Sequence, residues 1–307
     1  MGRSLAETAK FVLDSIKKLG FEIQPECRLW QMYQVLFDEN ENSRSILEDD
    51  PQFGVAKEAL RDFQILGFAF DYLEEANDTN YLNILRQLMA KNDSVLSQYD
   101  LYGNSPSRDY QAELFVAAIC SKARMIPIMY EEPDICCSLN GNEYGIAVKR
   151  VKSERQFVRR IREAAEQIEQ ARKPGVIVID ITLATNPQNL DGNTRITEDT
   201  FETYYHKFKY VYCEQQHLDH NKPIPDNYLN EFYKLYLAYF YRQKEEQIQR
   251  GIENKGVIGI VLHGHFINKC DNNYELETAT LGVPIENSVF EDFSKGYIKA
   301  LPNLQVG

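Results

Sequence analysis

The stretch that most constrains this chain runs from residue 133 to residue 182. An apolar run from Ile135 to Leu139 meets Asn140-Gly141-Asn142-Glu143, and a second run then extends from Tyr144 to Val151. Asn-Gly between two β-prone runs is a strong local signal for a two-stranded hairpin, because both turn residues must adopt positive φ. Ser153 follows as a helix N-cap, with Gln156 three residues on to complete a capping box. Phe157, Ile161, Ala164, Ile168 and Ala171 then fall on one stripe at helical period. Arg172 and Lys173 complement the C-terminal dipole of that helix, and Pro174-Gly175 ends it. The run from Val176 to Ile181 is continuously apolar, as in a strand buried on both faces. The unit therefore reads hairpin, crossover helix, parallel strand.

Upstream, Ser107 is placed to cap a helix from about Arg108 to Lys122, with Glu113 among Leu114, Phe115, Ala117, Ala118 and Ile119. The order becomes helix with Glu113, strand opening at Pro133-Asp134, hairpin strand ending at Lys149, helix, strand. That order resembles the PD-(D/E)xK nuclease superfamily over about residues 105–182. The resemblance implies a restriction-endonuclease-like α/β fold, a mixed sheet flanked by helices, and a nuclease that uses Mg²⁺ or Mn²⁺. It further implies action on nucleic acid, with DNA the expected substrate, in restriction, repair or defence against mobile elements.

The chemistry explains why such residues belong together. A phosphodiester repels an anionic nucleophile, and a hard cation held by carboxylates neutralises the developing charge. A lysine beside it orients the attacking water or stabilises the transition state. Asp134 is the expected metal carboxylate and Lys149 the expected amine, brought together across the hairpin. Gln167 is expected to support them from the crossover helix.

The chain departs from the superfamily at position 147, where the usual acidic residue is Ala147. Three arrangements stay open. The second carboxylate is Glu163 on the crossover helix, on the flank shared with Arg160 and Gln167. Alternatively it is Glu113, with a backbone carbonyl near Val148 completing the metal shell. In the third the site no longer cuts, and the domain is a module that binds nucleic acid or a protein. Each residue also has a plainer role: Asp134 as a strand opener after Pro133, Lys149 as a cation reaching out from a sheet edge. Yet a lysine and a glutamate inside two apolar elements need partners there.

At 307 residues the chain is long for one domain, and Gly103 to Ser107 is the expected boundary. Residues 1–104 are expected to form a helical domain, with helices from Ala6 to Leu19, within Cys27 to Phe37, from Val55 to Leu73 and from Tyr81 to Met89. Residues 105–307 would be the nuclease-like domain. Residues 1–104 carry ten basic and eighteen acidic residues, so this part suits packing, oligomer contact or a partner protein better than phosphate binding. No apolar stretch approaches the ~20 residues of a membrane span, and no secretory leader is visible. Six scattered cysteines without a CxxC pair suit reduced thiols in a cytoplasm.

The net charge of −12 argues against a general nucleic-acid coat. Residues 149–173, however, hold nine basic residues against four glutamates. Arg150, Lys152 and Arg160 are the expected phosphate contacts, against the plainer reading of a solvated face laced by pairs such as Arg159–Glu163 and Arg162–Glu166. Beyond the loop from Asn186 to Asn193, two aromatic-rich helices are expected over 198–216 and 227–250. Their rings suit a core better than base stacking. Cys213, His217 and His220 have zinc-like spacing but no fourth ligand. A buried strand from Gly256 to Phe266 ends in His263 and His265. A turn at Asp271-Asn272-Asn273, a strand from Glu275 to Leu281 and a helix over about 286–301 close the fold.

Overall fold

The structure, a computed structural model, describes residues 3–37, 44, 50–75, 81–90, 105–126, 128–129, 131–185, 234, 237–238, 240–270 and 273–301. Four helices lead the chain: α1 (Leu5–Lys18), α2 (Arg28–Leu36), α3 (Phe53–Glu75) and α4 (Tyr81–Ala90). Then come α5 (Pro106–Lys122), β1 (Ile128–Met129), β2 (Ile135–Leu139), β3 (Asn142–Arg150), α6 (Glu154–Ala171), β4 (Gly175–Asp180) and the short α7 (Thr182–Thr185). The chain closes with α8 (Glu245–Ile252), β5 (Val257–Cys270), β6 (Asn273–Pro284) and α9 (Asn287–Ala300).

The six strands form one sheet in sequential order. β3, β4 and β5 are parallel, while β1–β2, β2–β3 and β5–β6 are antiparallel. The β2–β3 hairpin turns as its Asn-Gly predicts, with φ of 53° at Asn140 and 81° at Gly141. The helix α6 carries the chain back over the sheet, so that Gly145 of β3 and Gly175 of β4 come into register.

Two details of α6 differ from expectation. Ser153 stands at the N-cap without a side-chain cap bond, and Gln156 Oε1 instead accepts from the Lys152 N–H at 3.2 Å. The helix closes on Arg172 in the left-handed region, so Gly175 is free to open β4. The helix α5 begins at Pro106, with Ser105 and not Ser107 in the N-cap position and no side-chain cap bond, because Pro at the first helical position lacks only an N–H the helix does not use.

Alternation along the strands sorts their side chains into two cores. Ile146, Val148, Val176, Val178 and Val261 face one layer, and Ala147, Ile177, Ile179, Ile260 and Leu262 face the other. The helix α6 and residues of α8 cover the second face, with Leu237, Phe240 and Tyr241 packed into it. The first face is covered by α5 and α9, and its core continues without a break through α1–α4. The helices expected to make a domain of their own therefore share one core with the sheet, because their apolar faces are what closes it. The aromatic helix over 198–216, residues 227–233, 235–236 and 239 of that over 227–250, and Cys213, His217 and His220 lie outside the described residues.

Candidate functional site

The strand β2 starts at Ile135, opposite Ile146, so the recorded β2–β3 pairing stops there. Beyond that point the peptide of Val148 is satisfied by side chains. Its N–H donates to Asp134 Oδ2 at 2.7 Å, and its carbonyl accepts from Lys149 Nζ at 3.1 Å. The same Lys149 Nζ donates to Asp134 Oδ2 at 2.8 Å. Pro133 is seated against Gly145, where a Cβ would stand 2.9 Å from Pro133 Cδ. A side chain there would push the Pro133-Asp134 corner off β3. The two charged side chains are mostly buried, 15% and 16% exposed.

Helices on the two faces of the sheet close the group. From α6, Gln167 Nε2 donates to Pro133 O at 3.0 Å and more weakly to Asp134 Oδ1 at 3.4 Å. Those bonds fix the amide, and its Oε1 is buried with no hydrogen-bond partner among the described residues. From α5, Glu113 lies within electrostatic reach of Asp134 and Lys149. Burial, and after it the Asp134 carboxylate, pushes the Glu113 carboxyl up to about 8, against the opposing pull of Lys149. Asp109, one turn earlier on α5, adds to the upward push.

Of the residues singled out in the sequence, the structure thus brings Asp134, Lys149 and Gln167 into direct contact, with Glu113 beside them. Ala147 is fully buried in the core beneath α6. Glu163 is held by Arg160 at 2.8 Å and by Arg159 at 3.6 Å. Arg150 requires a correction: its side chain is 4% exposed, bonded to Asp109 at 3.1 Å and Asp180 at 3.4 Å. Even-numbered positions of β3 face α5, so this cation points inward and offers nothing to a phosphate at the surface. Lys152 is half-buried at the junction with α6, and Arg160 shares its charge with Glu163. Lys173 is likewise paired, with Glu131 at 2.8 Å and Glu143 at 3.7 Å. Much of the basic stretch is therefore laced by carboxylates, as the plainer reading held, although Glu166 pairs with Lys255 at 3.4 Å.

The histidines, expected at a strand end, lie in the middle of β5, which runs on to Cys270, and they are core groups. His263 and His265 are 2% and 3% exposed. Their Nδ1 atoms meet Thr280 and Thr278 hydroxyls at 2.8 and 2.9 Å, and His263 Nε2 meets the Tyr297 hydroxyl at 2.8 Å. Burial pulls their pKa values down to about 3 and about 4, which leaves both rings neutral at physiological pH.

Sequence reading missed the polar layer beside them. Arg28, Glu58, Arg61, Asp62 and Arg108 are each 3% exposed or less, packed between α2, α3 and α5. Asp62 accepts from Arg28, from Arg108 at 3.1 Å and from Gln111 at 3.1 Å. The available signal was the charged pair Arg61-Asp62 set inside an apolar helical stripe, the same anomaly that marked Glu113.

Asp134, Glu113, the Val148 carbonyl and Gln167 Oε1 offer hard oxygen donors. No group of three or more His, Cys, Asp or Glu able to hold a metal occurs among the described residues. Two carboxylates plus neutral oxygens suit Mg²⁺, which keeps several waters and takes few protein carboxylates. A cation there would also relieve the repulsion between Glu113 and Asp134. No helix among the described residues is long and apolar enough to cross a membrane. Comparison with protein-family models, with curated proteins and with solved structures finds no match.

Proposed function

We propose that the chain is a metal-dependent nuclease of the PD-(D/E)xK superfamily, with a restriction-endonuclease-like fold, hydrolysing phosphodiester bonds of nucleic acid, DNA in the first instance. The observation that carries this reading is the meeting of Asp134, Lys149 and Glu113 at one sheet edge. Three ionisable groups from β3, α5 and the residue before β2 converge there, and burial, with the Asp134 charge after it, raises the Glu113 pKa. Asp134 and Glu113 would hold Mg²⁺ or Mn²⁺, with the Val148 carbonyl and Gln167 Oε1 as neutral donors. The ion supplies charge neutralisation at the scissile phosphate.

The chain's own residues do the rest. Lys149 presents an ammonium that stabilises negative charge on the phosphoryl oxygens or orients the attacking water. Its contact with the Val148 carbonyl fixes where that ammonium sits. Gln167 holds the Pro133-Asp134 corner through its amide N–H. Glu113 is the stronger candidate for the second carboxylate, since Glu163 is engaged by two arginines.

A second reading is favoured by one specific observation. The Asp134–Lys149 pair satisfies the Val148 peptide where β2 stops pairing, which is a structural role, and Ala147 places no carboxylate at the site. The domain would then grip nucleic acid or a partner protein without cutting. Cleavage of double-stranded DNA, single-stranded DNA and RNA, with and without Mg²⁺ and alongside Asp134→Ala and Lys149→Ala, separates the two. Mg²⁺-dependent cutting lost in both variants supports the nuclease; binding with no cutting above the variants supports the module.

A further inference from the structure

The Lys149 ammonium stands on two of the oxygens assigned above to a divalent cation. Its Nζ is 2.8 Å from Asp134 Oδ2 and 3.1 Å from the Val148 carbonyl oxygen. A carboxylate oxygen accepts along about two lone pairs, and the Val148 N–H takes the second on Oδ2 at 2.7 Å. That N–H belongs to the β3 backbone and stays where it is. The ammonium rides on a flexible four-carbon stem and can leave.

The other carboxylate oxygen is less suited to a cation. Asp134 Oδ1 is faced by the Gln167 amide N–H at 3.4 Å, and the Pro133 carbonyl anchors that amide at 3.0 Å. The positive end of the N–H dipole would oppose an ion there. On Oδ2 the obstacle is Lys149 itself. Mg²⁺ binds oxygen at about 2.1 Å, so an ion on Oδ2 would lie within about 5 Å of an ammonium held at 2.8 Å. Both side chains are mostly buried, and repulsion between two cations at that range is poorly screened.

We propose that Lys149 is a tethered counter-ion that gives way to the metal: Nζ rests on Asp134 Oδ2 and the Val148 carbonyl until a divalent ion enters, then leaves both and turns to the scissile phosphate. This rests on the nuclease reading and adds to it an order of events. The contact with the Val148 carbonyl is the resting place of the amine. Lys149 meets the phosphoryl oxygens only in the metal-loaded site, so the amine is withheld from substrate until the cation that hydrolysis requires is in place. The balance moves only as far as the two cations differ in affinity for the same pair of oxygens, so the ammonium lowers the affinity of the site for metal.

The test reads the amine and the metal separately, with no cleavage involved. Acetylation of the full wild-type chain by an N-hydroxysuccinimide ester, followed residue by residue by mass spectrometry, should be several-fold faster at Lys149 under saturating Mn²⁺. Lys173, paired with Glu131 and Glu143, should not change. Mn²⁺ titration followed by electron paramagnetic resonance should give about tenfold tighter binding in Lys149→Met than in wild type. Mn²⁺ bound equally by wild type and Lys149→Met, or bound by wild type with Lys149 acetylated no faster, overturns the exchange and leaves the nuclease reading standing. Mn²⁺ bound by neither protein overturns both.

Discussion

Lys149 Nζ and the Val148 N–H converge on the same oxygen of Asp134, at 2.8 and 2.7 Å. One carboxylate therefore does two things: it neutralises a mostly buried ammonium and completes the hydrogen bonding of β3 on the side where β2 no longer pairs with it. The lysine is held in place by the backbone of its own strand as well as by its counter-charge.

Removing the two partners should not cost the same. Asp134→Ala strands both the ammonium and the Val148 N–H, and is expected to cost about 2–4 kcal/mol. Lys149→Met leaves Asp134 its bonds to Val148 and Gln167, and should cost about 1–2 kcal/mol. Urea denaturation measures both. Equal losses would mean that the Val148 bond contributes little.

Glu113 makes stability depend on pH with a definite sign. Its carboxyl sits at about 8 in the fold against an ordinary 4.5, so the folded state binds the proton more tightly than the unfolded chain does. That contribution is full below about pH 4.5 and is lost as pH rises towards 8. Glu113→Gln removes this loss. The variant's Tm should match wild type near pH 5 and exceed it near pH 8.5. A constant Tm difference across the range would contradict the assigned environment.

The sequence carried the architecture around the site because hairpin, crossover helix and buried strand each have local signatures. Asn140-Gly141 fixes the turn, and the stripe from Phe157 to Ile168 fixes the buried face of α6. Asp134 and Lys149 were legible as a pair because the hairpin register follows from its turn. Arg150 was misread for a reason one residue wide: it neighbours Lys149 in sequence, but alternation sends it to the opposite face. Of the long-range polar layer only the Arg61-Asp62 charges inside an apolar stripe were legible, and not their partners. Arg28, Asp62 and Arg108 are far apart in sequence, and nothing local says that their helices cross.

That layer gives a comparison of like with unlike. Arg28 and Asp62 are 1% and 2% exposed, while the Arg3–Asp71 pair is 41% and 39% exposed. Arg28→Met is expected to cost about 3–5 kcal/mol, since it leaves a buried carboxylate short of a partner. Arg3→Met should cost about 0–1 kcal/mol. Chemical denaturation of both variants checks the contrast, and similar small losses would show that Arg108 and Gln111 suffice for Asp62.

Position 147 separates likeness in sequence from likeness in space. Ala147 is fully buried under α6, so Ala147→Asp is expected to destabilise the fold by about 2 kcal/mol or more. Thermal unfolding with and without Mg²⁺ reads it. A stable Ala147→Asp protein with tighter Mg²⁺ binding would place that side chain in the site instead.

The most direct measurement is cleavage of double-stranded DNA by the purified full chain under Mg²⁺, against EDTA and against Lys149→Ala and Asp134→Ala. The account predicts Mg²⁺-dependent phosphodiester hydrolysis that falls about 10²–10³-fold in each variant. Equal rates in wild type and both variants, on DNA and on RNA, would contradict it.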